Sequence, residues 1–169
     1  NGEVMTADDF VWSWKRMLTA SLGSQYPDML YYLEGAEEYH TWMSEDDLRE
    51  TIENKEVELK ENDQNDVAGL QKLSQELASL KNSIKNLQPK PTFESVGIKA
   101  IDDHTLKVNL KSPTPFFIGL LSHYSTWPVH KDTVLKFGEI DDRNGEWTRP
   151  GNFVCNGPFQ LKSWEINKK

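Results

Sequence analysis

A single cysteine, Cys155, occurs in 169 residues. No disulfide can therefore close within the chain, and cysteine usage leaves the redox compartment open. A lone thiol of this kind is more often buried and inert than nucleophilic. No apolar run approaches the roughly 20 residues that span a bilayer. No basic amino terminus leads into an apolar stretch, as a signal peptide would require. Positive charge is short: 19 Lys and Arg face 27 Asp and Glu, a net charge of −8. That balance excludes a nucleic-acid partner, which needs clustered cations to neutralise phosphates, and a polybasic membrane patch. Also missing are a serine elbow, a P-loop and a dinucleotide glycine motif, so no enzyme is indicated and no cofactor is implied. What remains is 37% apolar and 27% charged, enough for one polar domain with a sizeable core.

The clearest folding signal is MTADDFVWSWKRML, Met5–Leu18. Thr6 followed by Asp9 is a capping-box start, and Asp8 and Asp9 put negative charge at the positive end of the helix dipole. Phe10, Val11, Trp14, Met17 and Leu18 then form one apolar stripe at helical period. Gly23, Ser24 and Pro27 break the chain into a loop. Asp28 starts a second predicted helix through Met29, Leu30, Tyr32, Leu33 and Ala36, ending near Tyr39. This stretch holds Tyr26, Tyr31, Tyr32, Tyr39 and Trp42. Such rings can line a cleft, and singly they are more often half-buried packing residues.

Residues 44–88 read differently. Ser44 and Asp47 repeat the capping box, and 45–61 is dense in Glu and Lys. Asn62-Asp63-Gln64-Asn65 reads as a turn. Val67, Leu70, Leu73, Leu77, Leu80, Ile84 and Leu87 then follow near-heptad spacing until Pro89 and Pro91. Leu48, Ile52, Val57 and Leu59 offer fewer partners from the first helix. The pair is predicted to be an antiparallel helical hairpin, with part of its leucine seam left for the body or another chain.

From Phe93 the period becomes two. Val96, Ile98 and Ala100, then Leu106, Val108 and Leu110, predict a β-hairpin turning at Asp102-Asp103. Phe116–Leu121 and Lys131–Phe137 predict short helices, the latter stopped by Gly138. Ser122–Val129 reads as extended, and 139–152 as a polar loop holding Trp147 and Pro150. Asn156-Gly157 supplies a turn into a strand in which Phe159, Leu161 and Ser163 alternate with their neighbours.

Candidate chemistry is sparse. Glu37 and His40 have the Glu-x-x-His spacing of half a di-metal site, but no second pair repeats it, and a solvated helix face explains them better. His123 and His130 would need a third ligand from elsewhere. Asp102-Asp103 fits turn chemistry better than an acid–base pair.

Three stretches, in order, carry a resemblance. NGEVMTADDFVWSWKRML is similar to N-G-x-x-x-T-A-x-D-F-x-x-S-W-x-R; VGIKAIDDHTLKVNLKSPTPFF to V-K-A-x-D-x-x-T-L-x-V-x-L-x-x-P-x-P-Y/F-F; and FVCNGPFQLKSWE to I-V-x-N-G-x-Y/F-x-L-K-x-W. These patterns belong to bacterial oligopeptide-binding proteins, family 5 of the extracellular solute-binding receptors that serve peptide-importing ABC transporters. The resemblance implies an α+β fragment of a periplasmic-binding-protein type II-like fold: a small antiparallel sheet with packed helices and an inserted helical hairpin. It assigns 1–43 and 89–130 to the small lobe, 44–88 to the insertion and 131–169 to the start of the return into the main lobe. Both ends look like cuts inside a larger fold. The implied function is peptide capture outside the cytoplasm, periplasmic or as a cell-surface lipoprotein. A permease would be the partner, and any membrane attachment would lie in parts outside this chain. Tyr26 and His123 are the implied ligand-binding residues. Two other readings stay open: an interaction module using the 44–88 arm, and a metal enzyme built on Glu37 and His40.

Overall fold

The computed structural model describes residues 2–62 and 66–165. The chain divides into two compact units, one from 1–41 with 92–169, the other from 42–91. Among the described residues no helix is long and apolar enough to cross a membrane.

The first unit is built on α1, Ala7–Leu18. Its capping box forms: the Asp9 carboxylate accepts from the Thr6 N–H at 2.7 Å. The Ala7 N–H donates to the Asp103 carbonyl at 2.9 Å, tying the helix start to the β-turn. Trp14 (1% exposed), Met17 and Leu18 face inward as their spacing requires. They pack with Leu30, Leu33, Phe93, Val96, Ile98 and Phe117 into one core. The buried indole N–H of Trp14 is satisfied by the Thr126 carbonyl at 2.8 Å, as a desolvated donor must be.

The sheet is a hairpin of β1, Ile98–Asp102, and β2, Thr105–Val108. Ile98 pairs with Val108 and Ala100 with Leu106; the register shifts between Ala100 and Asp102. The turn lies at Asp103-His104, one residue later than its composition predicts. The Asp102 side chain caps it by accepting from the His104 N–H at 2.8 Å, which helps hold the carboxyl below its ordinary value.

The second predicted helix is broken. A 3-10 turn covers Pro27–Leu30 and α2 covers only Ala36–Thr41. Between them Leu33 bridges to Leu110. The Lys111 N–H donates to the Tyr32 carbonyl at 2.9 Å, and the Glu34 N–H to the Asn109 carbonyl at 3.1 Å. The backbone there extends the hairpin, so it cannot also serve a helix. Gly35, at φ 69°, then turns the chain into α2.

Two short helices follow, α5 at Phe117–Leu120 and α6 at Lys131–Lys136. A 3-10 turn at Tyr124–Thr126 interrupts the segment read as extended. Gly138 is not left-handed. A Cβ there would meet an Asp142 carboxylate oxygen at 2.5 Å, so a larger residue would require that side chain to move. No strand forms at 159–163, for no neighbouring strand among the described residues pairs with it. Cys155 is exposed, against the buried thiol expected.

The second unit holds α3, Glu45–Glu61, and α4, Val67–Lys85. Ser44 and Asp47 form their capping box, the Ser44 oxygen accepting from the Asp47 N–H at 3.2 Å. The predicted turn at 62–65 lies mostly outside the described residues. The helices run antiparallel, since Lys55 pairs with Glu76 and Glu56 with Lys81. Leu48, Leu73 and Leu77 are buried between them, and Ile52, Leu59, Leu70, Leu80 and Ile84 are half-buried. Val57, Val67 and Leu87 remain exposed. The seam is therefore largely covered within the hairpin, which weakens the case for a second chain upon it.

Candidate functional site

The 122–130 segment is fixed to α1 at two points and braced within itself at a third. Trp14 donates to the Thr126 carbonyl, as above. The Val129 N–H donates to the Ser13 hydroxyl at 2.9 Å. The Thr126 hydroxyl donates to the His123 carbonyl at 2.8 Å. This holds His123 and Tyr124 in place. Tyr26 arrives from the loop after α1, where Gly23 takes φ 61° and Pro27 opens the following turn.

Tyr26 and His123, 97 positions apart by number, meet edge-on with ring centroids 5.2 Å apart. Tyr124 joins them, 6.1 Å from Tyr26 and 4.3 Å from His123. Contact with the Tyr26 hydroxyl, then burial, pushes the Tyr124 phenol above its ordinary value, so this phenol is neutral at neutral pH. The Ser125 hydroxyl lies 2.8 Å from His123 Nδ1, and the Ser125 N–H reaches the same nitrogen at 3.4 Å. These contacts orient the ring within its own turn.

Tyr26 and Tyr124 line a cavity of about 290 Å3, with Trp127 and Trp147. Its polar lining includes two guanidinium groups, Arg16 and Arg143, beside Ser13, Ser24, Gln25 and Ser125. His123 is not in the lining; it backs the two tyrosines. Arg16 donates from Nη2 to the Asp142 carbonyl at 2.9 Å and sits 5.6 Å from the centre of the Trp147 ring. Burial lowers its pKa, and the charges of Asp142 and Asp141 oppose that shift. Its Nε is buried and finds no hydrogen-bond partner among the described residues. The site offers flat aromatic area, phenol tips and cations, a chemistry of holding. Ser125 and His123 do not make a nucleophile pair with an orienting acid: no carboxylate contact to His123 occurs among the described residues.

The other candidates have separate partners. Glu37 pairs with Lys111 at 2.9 Å, while His40 Nδ1 meets the Leu18 carbonyl at 3.0 Å. His130 bridges Glu3 and Thr133. No group of three or more His, Cys, Asp or Glu suited to a metal occurs among the described residues. Tyr31, Tyr32 and Tyr39 pack against the core. Trp42 donates to the Gln88 carbonyl at 3.0 Å within the second unit. Tyr124, Trp127, Arg143 and Trp147 were not singled out as lining residues from the sequence. Their only signal there is the pair Tyr124 and Trp127 in 122–129 and the isolated Trp147 in the polar loop 139–152.

A family model described as bacterial extracellular solute-binding proteins, family 5 Middle, matches residues 1–169. The chain is 32% identical over 169 residues to the periplasmic oligopeptide-binding protein OppA of Escherichia coli K12, covering 100% of this chain and 22% of that protein. The oligopeptide-binding protein OppA of Bacillus subtilis 168 is 28% identical over 167 residues, 98% of this chain and 21% of its own length. The crystal structure of the periplasmic oligopeptide-binding protein OppAIV of Borrelia burgdorferi superposes with a TM-score of 0.62 at 26% identity, over 99% of this chain and 23% of that one. The chain thus spans about a fifth of the length of the curated relatives it matches. Its α+β architecture is a fragment of the periplasmic-binding-protein fold.

Proposed function

Since the chain belongs to the bacterial extracellular solute-binding proteins of family 5, we propose that it forms one ligand-facing wall of a peptide receptor feeding an ABC importer. The observation that carries this reading is the meeting of Tyr26 with His123 at the rim of an aromatic cavity. Tyr26 touches the ligand, and His123 braces Tyr26 and Tyr124 from behind. The work is binding, with no catalytic step. The receptor acts outside the cytoplasm, its partner is the importer's permease, and any lipid anchor belongs to parts beyond this chain. On this reading 1–43 and 89–130 make a small lobe, 44–88 is an insertion into it, and 131–169 leads back to a main lobe.

Calorimetric titration of the full-length protein carrying this chain, against a varied library of short peptides, tests the proposal. Several peptides bind, and Tyr26→Ala weakens them about tenfold, the loss of roughly 1.4 kcal/mol of aromatic contact. Absence of binding across the library overturns it. The 169-residue chain alone binds weakly or not at all, because most of the enclosing surface that a ligand pocket needs lies elsewhere.

A further inference from the structure

We infer that Arg143 makes this cavity selective for a carboxylate side chain on the ligand; the inference rests on the peptide-receptor reading. The two cations of the cavity are not equivalent. Arg16 is held through Nη2, bonded to the Asp142 carbonyl and drawn to the Asp142 and Asp141 charges, and its one unpartnered nitrogen, Nε, is buried away from a ligand. Those two acids are themselves engaged. Asp141 accepts from the Ser21 hydroxyl at 2.6 Å, and Asp142 accepts from the Asn144 N–H at 2.9 Å. Arg143 is exposed and makes no hydrogen bond or ion pair among the described residues. Its Nη1 lies 3.6 Å from where a Cβ on Gly23 would stand, which puts the guanidinium beside the loop that delivers Tyr26. An uncommitted guanidinium next to aromatic faces presents paired N–H donors in a fork that matches a carboxylate.

The size of the cavity bears on which carboxylate. At about 290 Å3 it stands at the floor of the roughly 300–1,000 Å3 typical of whole small-molecule sites. On this wall it offers room for one side chain of a ligand whose other residues would meet surface outside this chain. A Glu or Asp side chain therefore fits better than the carboxyl terminus of a peptide whose remaining residues would also need room.

The test uses the full-length protein and alanine pentapeptides, with Glu walked through each position and each peptide made as free acid and as amide. Dissociation constants are read by calorimetry at low salt. At one position Glu binds about fivefold tighter than Ala, an advantage consistent with a part-exposed charge-assisted contact. Arg143→Ala erases that advantage, Arg143→Lys keeps part of it, and amidation affects wild type and variant alike. No Glu advantage in the wild type, or one that survives Arg143→Ala, overturns the inference while leaving the receptor reading intact. An amidation penalty present in the wild type and lost in Arg143→Ala overturns it too, by assigning the residue to the ligand's terminus. If no peptide of any kind binds, the receptor reading itself falls.

Discussion

At Gly35 one missing methyl group decides the path of the chain. Its φ of 69° is one that L side chains rarely adopt, and a Cβ there would lie 2.6 Å from the Ser95 carbonyl oxygen. Gly35→Ala therefore adds backbone strain and a backbone clash, about 2–4 kcal/mol together. Thermal unfolding followed by circular dichroism shows the melting temperature falling by roughly 5–10 °C for a chain of this size. An unchanged transition would mean that this turn is not the rigid joint described. Residues that answer to local chemistry alone were legible from the sequence: Thr6 with Asp9, Ser44 with Asp47, and Trp14 on its stripe. Tyr26 and His123 were legible only through resemblance. Arg143 and Trp147 were not, because nothing periodic marks a loop residue whose place is set by a distant element. Cys155 misled for the related reason that burial depends on what lies across from a side chain.

At the scale of elements, those whose bonds close within a short stretch were read correctly. Helix α1, the α3–α4 hairpin and the β1–β2 hairpin each satisfy their own backbone groups and display their period. The stretch from 28 to 39 looked helical, but Leu33 found a bridge to Leu110, a partner 77 positions away by number. Likewise 159–163 alternates as a strand does, yet a strand exists only beside another. The α3–α4 hairpin allows a prediction at this scale. Lys81 holds the Glu56 carboxyl below its ordinary value of 4.5, and Lys55 does the same for Glu76. In return Glu76 raises Lys55 above 10.5. The carboxylates bind protons less readily folded than unfolded. Their contribution is present above pH 4.5 and is lost as pH falls through their lowered folded values. That of Lys55 is present below pH 10.5 and is lost as pH rises through its raised folded value. Lys81→Ala should move the Glu56 titration upward, toward its ordinary value, read by NMR titration of the side-chain carboxyl. A Glu56 titration that does not move removes the cross-helix pair.

At the scale of the whole molecule, 1–41 and 92–169 make one body although the arm separates them in sequence. The join is made by backbone. Besides the Glu34 to Asn109 bond, the Gly97 N–H donates to the Glu34 carbonyl and the Asn109 N–H to the Gly97 carbonyl, both at 2.8 Å. The body therefore closes on itself. Replacing 44–88 by a short flexible linker should leave the backbone amide NMR shifts of the body and the Trp14 indole N–H shift unchanged. Loss of those shifts would show the arm to be part of the core, against its reading as an insertion.

The three-way backbone junction of Glu34, Gly97 and Asn109 has an evolutionary consequence. With Glu34 and Gly97, which lie on either side of the excursion, bonded to each other, each doubling of its length costs only about 0.6 kcal/mol in closure entropy. Gains and losses of sequence at this address can drift almost unseen by selection on the cavity, and a reporter domain spliced there would travel with the body as a passenger.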